Sequence, residues 1–182
     1  ELKHTSLFER ELPVMGDATV NERYVHQNLD TLLLNQDIPV LLVDENNTAI
    51  LQWDFSAWKG KKVVGEAQLE FYTHTVIRAA SNPKDFGEVR IAEILKGDKN
   101  WEESSVTFNS LLNGEDFNEV INAQTIVDTK VNPLRNSKTV VTISEPVMQR
   151  LIDGKTSGLA IKPLGFISTA LHTSEYNNGQ FA

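Results

Sequence analysis

At 182 residues, with 40% hydrophobic and 23% charged side chains, the chain has the length of one domain and the composition of a folded protein, which excludes global disorder. A formal net charge of −8 argues against a nucleic-acid partner, whose phosphates require clustered Lys and Arg. The absence of cysteine excludes disulfides, thiolate metal sites and a cysteine nucleophile.

No apolar run approaches the roughly 18–20 residues of a membrane-spanning helix, so no membrane insertion is expected. The start, Glu1-Leu2-Lys3-His4, has neither an initiator Met nor the apolar stretch of a leader. It reads as a processed or excised segment of a longer parent chain. Residues 1–16 read as an extension or an added strand, and residues 17–182 as one domain.

In chain order, the leucine run within Thr31–Asn35 and the apolar run Val40–Val43 are expected strands. Asp44-Glu45-Asn46-Asn47-Thr48 is a turn by composition. It offers oxygens like the start of a calcium loop, but Ala49 replaces the required glycine and Phe55 the bidentate acid. Ala49–Phe55 then alternates, with Leu51, Trp53 and Phe55 on one face and Gln52 and Asp54 on the other. Trp58-Lys59-Gly60-Lys61-Lys62 interrupts the pattern. Val63–Thr73 resumes it, with Ala67, Leu69 and Phe71 inward and Glu66, Gln68, Glu70 and Tyr72 outward.

Residues 79–87 read as a loop, Glu88–Leu95 as a strand and residues 96–100 as a turn. In Trp101–Asn109 an aromatic anchor and an acidic turn lead into an apparent half-buried strand, with Val106 and Phe108 inward. Leu111–Asn122 shows no period and is expected to be irregular. Two further strands, Ala123–Val131 and Ser137–Ser144, flank a hairpin-like turn rich in Pro and Asn. Ser144–Ile152 is the expected helix: Ser144 stands at the cap, Pro146 in the first turn, Val147, Met148, Leu151 and Ile152 share a face, and Gly154 stops it. Leu159–Lys162 and Phe166–Leu171 return to strand. About ten short strands with one short helix and no βαβ alternation predict an all-β, antiparallel sandwich.

Catalytic signatures are sparse. The four histidines are scattered, with no His-Glu-x-x-His pair, no Gly-x-Ser-x-Gly elbow and no phosphate-cradling loop. Glu102 and Glu103 are adjacent in sequence and read as a solvated turn. An enzyme is not expected.

Several segments in order resemble those of DNRLRE-type domains, also described as family 96 carbohydrate-binding modules. They are Asp17-Ala18-Thr19-Val20, Ile50 to Ser56, Val64 to Tyr72, Trp101 to Asn109, Ser157 to Lys162, and Ser174-Glu175. The resemblance implies a jelly-roll-like β-sandwich that binds polysaccharide without cleaving it. It also implies an extracellular or cell-surface location, beside catalytic or surface-anchoring domains of the same parent chain. Alternatives are a structural or adhesive sandwich and, less favoured, a polysaccharide lyase. The chain departs from the family pattern at Gln52, where Arg is usual, at Phe108, where Trp is usual, and in the closing Pro-Arg-Leu strand expected after Ala182.

Glycan recognition needs exposed aromatic faces and polar groups for hydroxyls. With Trp53, Phe55 and Phe71 assigned to the core by alternation, Trp58, Tyr24, Tyr72 and Tyr176 remain. Trp58 lies within the densest basic cluster, Lys59, Lys61 and Lys62, suited to a carboxylated or sulfated polymer. Arg78 and Arg90 are further candidates, because guanidinium pairs bidentately with uronates. By analogy with other jelly-roll glycan binders, Asp17 and Glu175 would form a structural calcium site if the first and last strands pair.

Overall fold

The computed structural model describes residues 7–30, 32–34, 38–77, 88–165 and 167–176. Among the described residues, ten strands form two five-stranded antiparallel sheets. The strands are β1 (Gly16–Asn21), β2 (Leu33–Leu34), β3 (Ile38–Val43), β4 (Asn47–Gln52), β5 (Ala67–Ile77), β6 (Glu88–Glu93), β7 (Thr125–Lys130), β8 (Lys138–Ile143), β9 (Leu159–Pro163) and β10 (Ser168–His172). Sheet one has the order β1-β4-β9-β6-β7 and sheet two the order β2-β3-β10-β5-β8.

The pairings β3 with β10, β4 with β9, β5 with β8 and β6 with β7 describe one long antiparallel hairpin. Rolled up so that its strands fall into two facing sheets, such a hairpin is a jelly roll. β1 extends one edge beyond β4, and β2 extends the other sheet beyond β3. The expected all-β, jelly-roll-like sandwich is the observed architecture.

The core between the sheets includes Leu41, Val43, Leu51, Leu69, Phe71, Ile91, Val141, Ile143 and Ile161. β5 keeps the expected alternation, with Leu69 and Phe71 inward, and β8, expected only as a strand, alternates likewise and buries Val141 and Ile143. A second core lies where Ala18, Val20, Ile50 and Ala160 pack with Ile94, Trp101, Val106, Leu111, Val120 and Ile121 of the 94–121 excursion. β1 is consequently buried along its whole length. Ala18 and Val20 enter the second core. Asp17, Thr19 and Asn21, on its other face, take polar partners: Ser174 N–H donates to Asp17, Leu42 N–H to Thr19 Oγ1, and Asn21 Nδ2 to Asn47 Oδ1.

The excursion corrects three expectations. Residues 106–109 do not form a strand: Thr107 caps helix α1 (Phe108–Leu112). Thr107 Oγ1 accepts from Ser110 N–H at 3.1 Å while Thr107 N–H donates to Ser110 Oγ at 2.8 Å, a reciprocal capping box that satisfies two helix-end donors. Residues 111–122 are not wholly irregular, because Asp116 caps a second short helix, α2 (Phe117–Val120), by accepting from Asn118 N–H. The expected single helix is therefore the last of three α-helices among the described residues. That helix, α3 (Glu145–Ile152), has Ser144 at its cap position and buries Val147 and Leu151, as its pattern predicts.

The 132–136 turn is not a hairpin. It carries the chain from β7 in sheet one to β8 in sheet two, held by hydrogen bonds to Thr73. The 44–48 turn likewise joins β3 to β4 in the other sheet. Asp44 there is committed to local bonds with Asn46 and Asn47. Among the described residues, no helix is long and apolar enough to cross a membrane. The 79–87 loop, Arg78 and the chain end near Phe181 lie outside the described residues.

Candidate functional site

A cleft of about 520 Å³ opens where the end of β4, the 99–102 loop, the end of α3 and the turn into β9 converge. β4 stops at Gln52, so Trp53 and Phe55 leave the strand and reach the cleft half-buried, with their rings 6.5 Å apart. This corrects their assignment wholly to the core. The alternation is real, but the sheet ends before it does. A 3₁₀ turn, Ser56–Trp58, follows, and Trp58 sets its ring 6.1 Å from Phe55 and 6.0 Å from Phe8. Trp58 thus buttresses the aromatic wall. Lys59, next in sequence, lines the cleft.

The far wall is Trp101, 3% exposed, whose carbonyl accepts from Gln52 Nε2 at 3.2 Å. Close packing at the cleft depends on Gly158. Its φ of +147° is rare for other residues, and a Cβ there would stand 2.1 Å from the Leu51 carbonyl oxygen. Lys59 and Lys99 bring two positive charges to the lining, and Glu102 and Asp153 bring two negative ones. The lining is therefore balanced in charge.

The other sequence-derived candidates are dispersed. Lys61 and Lys62 are exposed in the segment after Lys59, where Gln149 Nε2 donates to the Lys61 carbonyl. Tyr72 is half-buried on β5, opposite Lys138 of β8. Arg90 on β6 is committed to Asp128 of β7 through two hydrogen bonds of 2.7 and 3.0 Å. Arg78 falls outside the described residues. Tyr176 stacks on His172 at 3.9 Å, and Tyr24 is 61% exposed.

Asp17 and Glu175 do meet, although β1 and β10 lie in different sheets and do not pair. The contact is made by the segment just after β10: Ser174 N–H donates to Asp17 Oδ2 at 2.8 Å, which carries Glu175 alongside. Glu103 joins them, and one carboxylate oxygen from each of the three residues lies within 4.8 Å of the others. Asn28 fixes the Glu103 loop, its Nδ2 donating at 2.8 Å to the carbonyls of both Glu103 and Val106.

Three acids held this closely resist ionising together. Burial pushes Asp17 up to about 7, against the Ser174 N–H bond and aided by the charge of Glu175. Glu103 is also raised, first by burial, then by its hydrogen bond with Glu175 and the charges of Glu175 and Asp17. At Glu175 burial opposes ionisation, but hydrogen bonds from Thr173, Glu103 and Ser174 outweigh it and hold the group low. Among the described residues, none of the three has an ion-pair partner. An all-oxygen, anionic donor set of this kind suits a hard divalent cation.

Glu103 is the residue that sequence reasoning missed. It is 86 positions from Asp17 and reads locally as half of a solvated acidic turn, so only the path of the 101–107 loop brings it in. No protein-family model and no curated protein sequence matches the chain.

Proposed function

We propose that this domain is a non-catalytic polysaccharide-binding module of a larger secreted or surface protein. The single observation that carries the reading is the cleft, about 520 Å³ in volume and walled by the half-buried Trp53 and Phe55. Its size fits a sugar unit, and Trp53 and Phe55 supply aromatic surface of the kind that packs against the apolar C–H faces of pyranose rings. The lysines and carboxylates around them supply donors and acceptors for hydroxyls. Because these charges balance, the cleft suits uncharged sugar units. Lys61 and Lys62, exposed in the adjoining segment, offer contacts to carboxylated or sulfated units of the same polymer.

The ordered segments that resemble family 96 modules support the same reading, as does the rolled architecture, which presents loops at the ends of a rigid sandwich. The test is affinity electrophoresis of the whole chain through gels containing neutral, carboxylated or sulfated polysaccharides. Retardation by at least one polymer is expected, reduced at least tenfold in affinity by Trp53→Ala or Lys59→Ala, with no new chain ends released. A folded protein retained by none would instead indicate a structural or adhesive sandwich. Unsaturated products detected in the ultraviolet would indicate a lyase.

A further inference from the structure

We infer that Asp17, Glu103 and Glu175 form a calcium site that ties together β1, the 101–107 loop and the segment following β10. The inference is independent of the glycan reading and rests on two observations. The first is convergence: three carboxylates from segments far apart in sequence place oxygens within 4.8 Å of one another. Surface acids ordinarily repel and splay apart, whereas these are held by the fold, Asp17 by strand β1, Glu103 by Asn28 and Glu175 by the Ser174–Asp17 bond.

The second is an orphaned oxygen. Asp17 is 2% exposed, and while its Oδ2 accepts from Ser174, its Oδ1 has no hydrogen-bond partner. An unpaired buried carboxylate oxygen is costly, and the cluster supplies only more negative charge around it. One buried oxygen of Glu103, Oε1, is likewise without a partner. A divalent cation among the three would compensate buried carboxylates that no protein cation offsets among the described residues.

The chemistry selects the ion. Carboxylate oxygens are hard donors, which favour calcium, magnesium or manganese over softer metals. Ligands drawn from three separate segments give an irregular, adaptable shell. Calcium accepts six to eight oxygens in flexible geometry, whereas magnesium demands near-ideal octahedral placement. Glu175 is the exposed member of the cluster, open to water that would complete the shell. The site belongs to the scaffold, since it pins the edge strand of sheet one to the chain leaving sheet two.

The test is calorimetric titration of the chelator-stripped full chain with calcium chloride, paired with thermal unfolding. One binding event is expected, with a rise in melting temperature of roughly 5–10 °C when calcium is about a hundredfold above Kd. Glu103→Gln should weaken binding at least tenfold. In chelator it should melt no lower than the parent, because without metal Glu103 already resists ionising and the amide can still donate to Glu175, and this separates a lost ligand from a lost fold. Asp17→Asn retains an acceptor for Ser174 N–H and should also weaken binding. Absence of both heat and thermal shift in the parent protein, or unaltered calcium affinity in Glu103→Gln, would overturn the inference.

Discussion

Two buried carboxylates in this fold are treated in opposite ways. Glu93, at the end of β6, has no solvent exposure, and Arg150 of α3 meets it with two hydrogen bonds of 2.8 and 3.0 Å. Asp17, at 2% exposure, has two more acids beside it. Where a carboxylate holds α3 against the sheet, the chain supplies its own cation. Where three carboxylates converge, none has an ion-pair partner among the described residues, and that difference is what the proposed calcium site would answer.

The largest effect should come from breaking the closed pair. Arg150→Met leaves Glu93 charged and buried, and a loss of about 3 kcal/mol is expected in urea unfolding. Gly158→Ala, close to Glu93 where Gly158 O accepts from Ile94 N–H, tests the same region through the backbone. Its Cβ has no room against Leu51 and its φ is unfavourable, so a loss of about 2 kcal/mol is expected by the same method. Buried bases give a pH-dependent counterpart. His172 is pushed down to about 4 by burial and by the positive charges of His74 and Arg135. Its folded value lies below its unfolded value of about 6.5, so its contribution is fully present above pH ~6.5 and is lost as pH falls toward 4. Urea midpoints of wild type and His172→Gln, compared at pH 7 and 5, should show a difference in acid sensitivity on the order of 1 kcal/mol. The smallest effect sharpens the comparison most. The same Glu→Gln exchange should lower stability at Glu93 and, in chelator, leave it unchanged or raise it by less than about 1 kcal/mol at Glu103.

Much of the scaffold was legible because strand periodicity survives in a sandwich. Leu69 and Phe71 against Gln68 and Glu70, or the alternation of β8, reads directly as inside and outside. The helix from Glu145 to Ile152 announced itself through Pro146 and its apolar face. Misreadings arose where a local rule competed with another. Val106 and Phe108 alternate, but Thr107 and Ser110 satisfy each other's helix-end groups, and the capping box wins. That signal was present in the sequence as a Thr-x-x-Ser spacing ahead of Leu111 and Leu112. Trp53 and Phe55 continue the period of β4 beyond its last paired residue, so periodicity alone places them in a core they only border. The acidic cluster was half legible: Asp17 and Glu175 were expected to meet by analogy with jelly-roll glycan binders, though through a strand pairing that does not occur. Glu103 could not be found, because its partners depend on the path of a loop that packs across the second core, which no local pattern encodes.

The most direct test of the contrast between Glu93 and Asp17 is a crystal structure from calcium-containing solution, with anomalous scattering recorded at a long wavelength. A calcium peak with oxygens of Asp17, Glu103 and Glu175 at about 2.3–2.6 Å is the expected result. A water molecule refined among the three carboxylates, with no anomalous signal at saturating calcium, would contradict it.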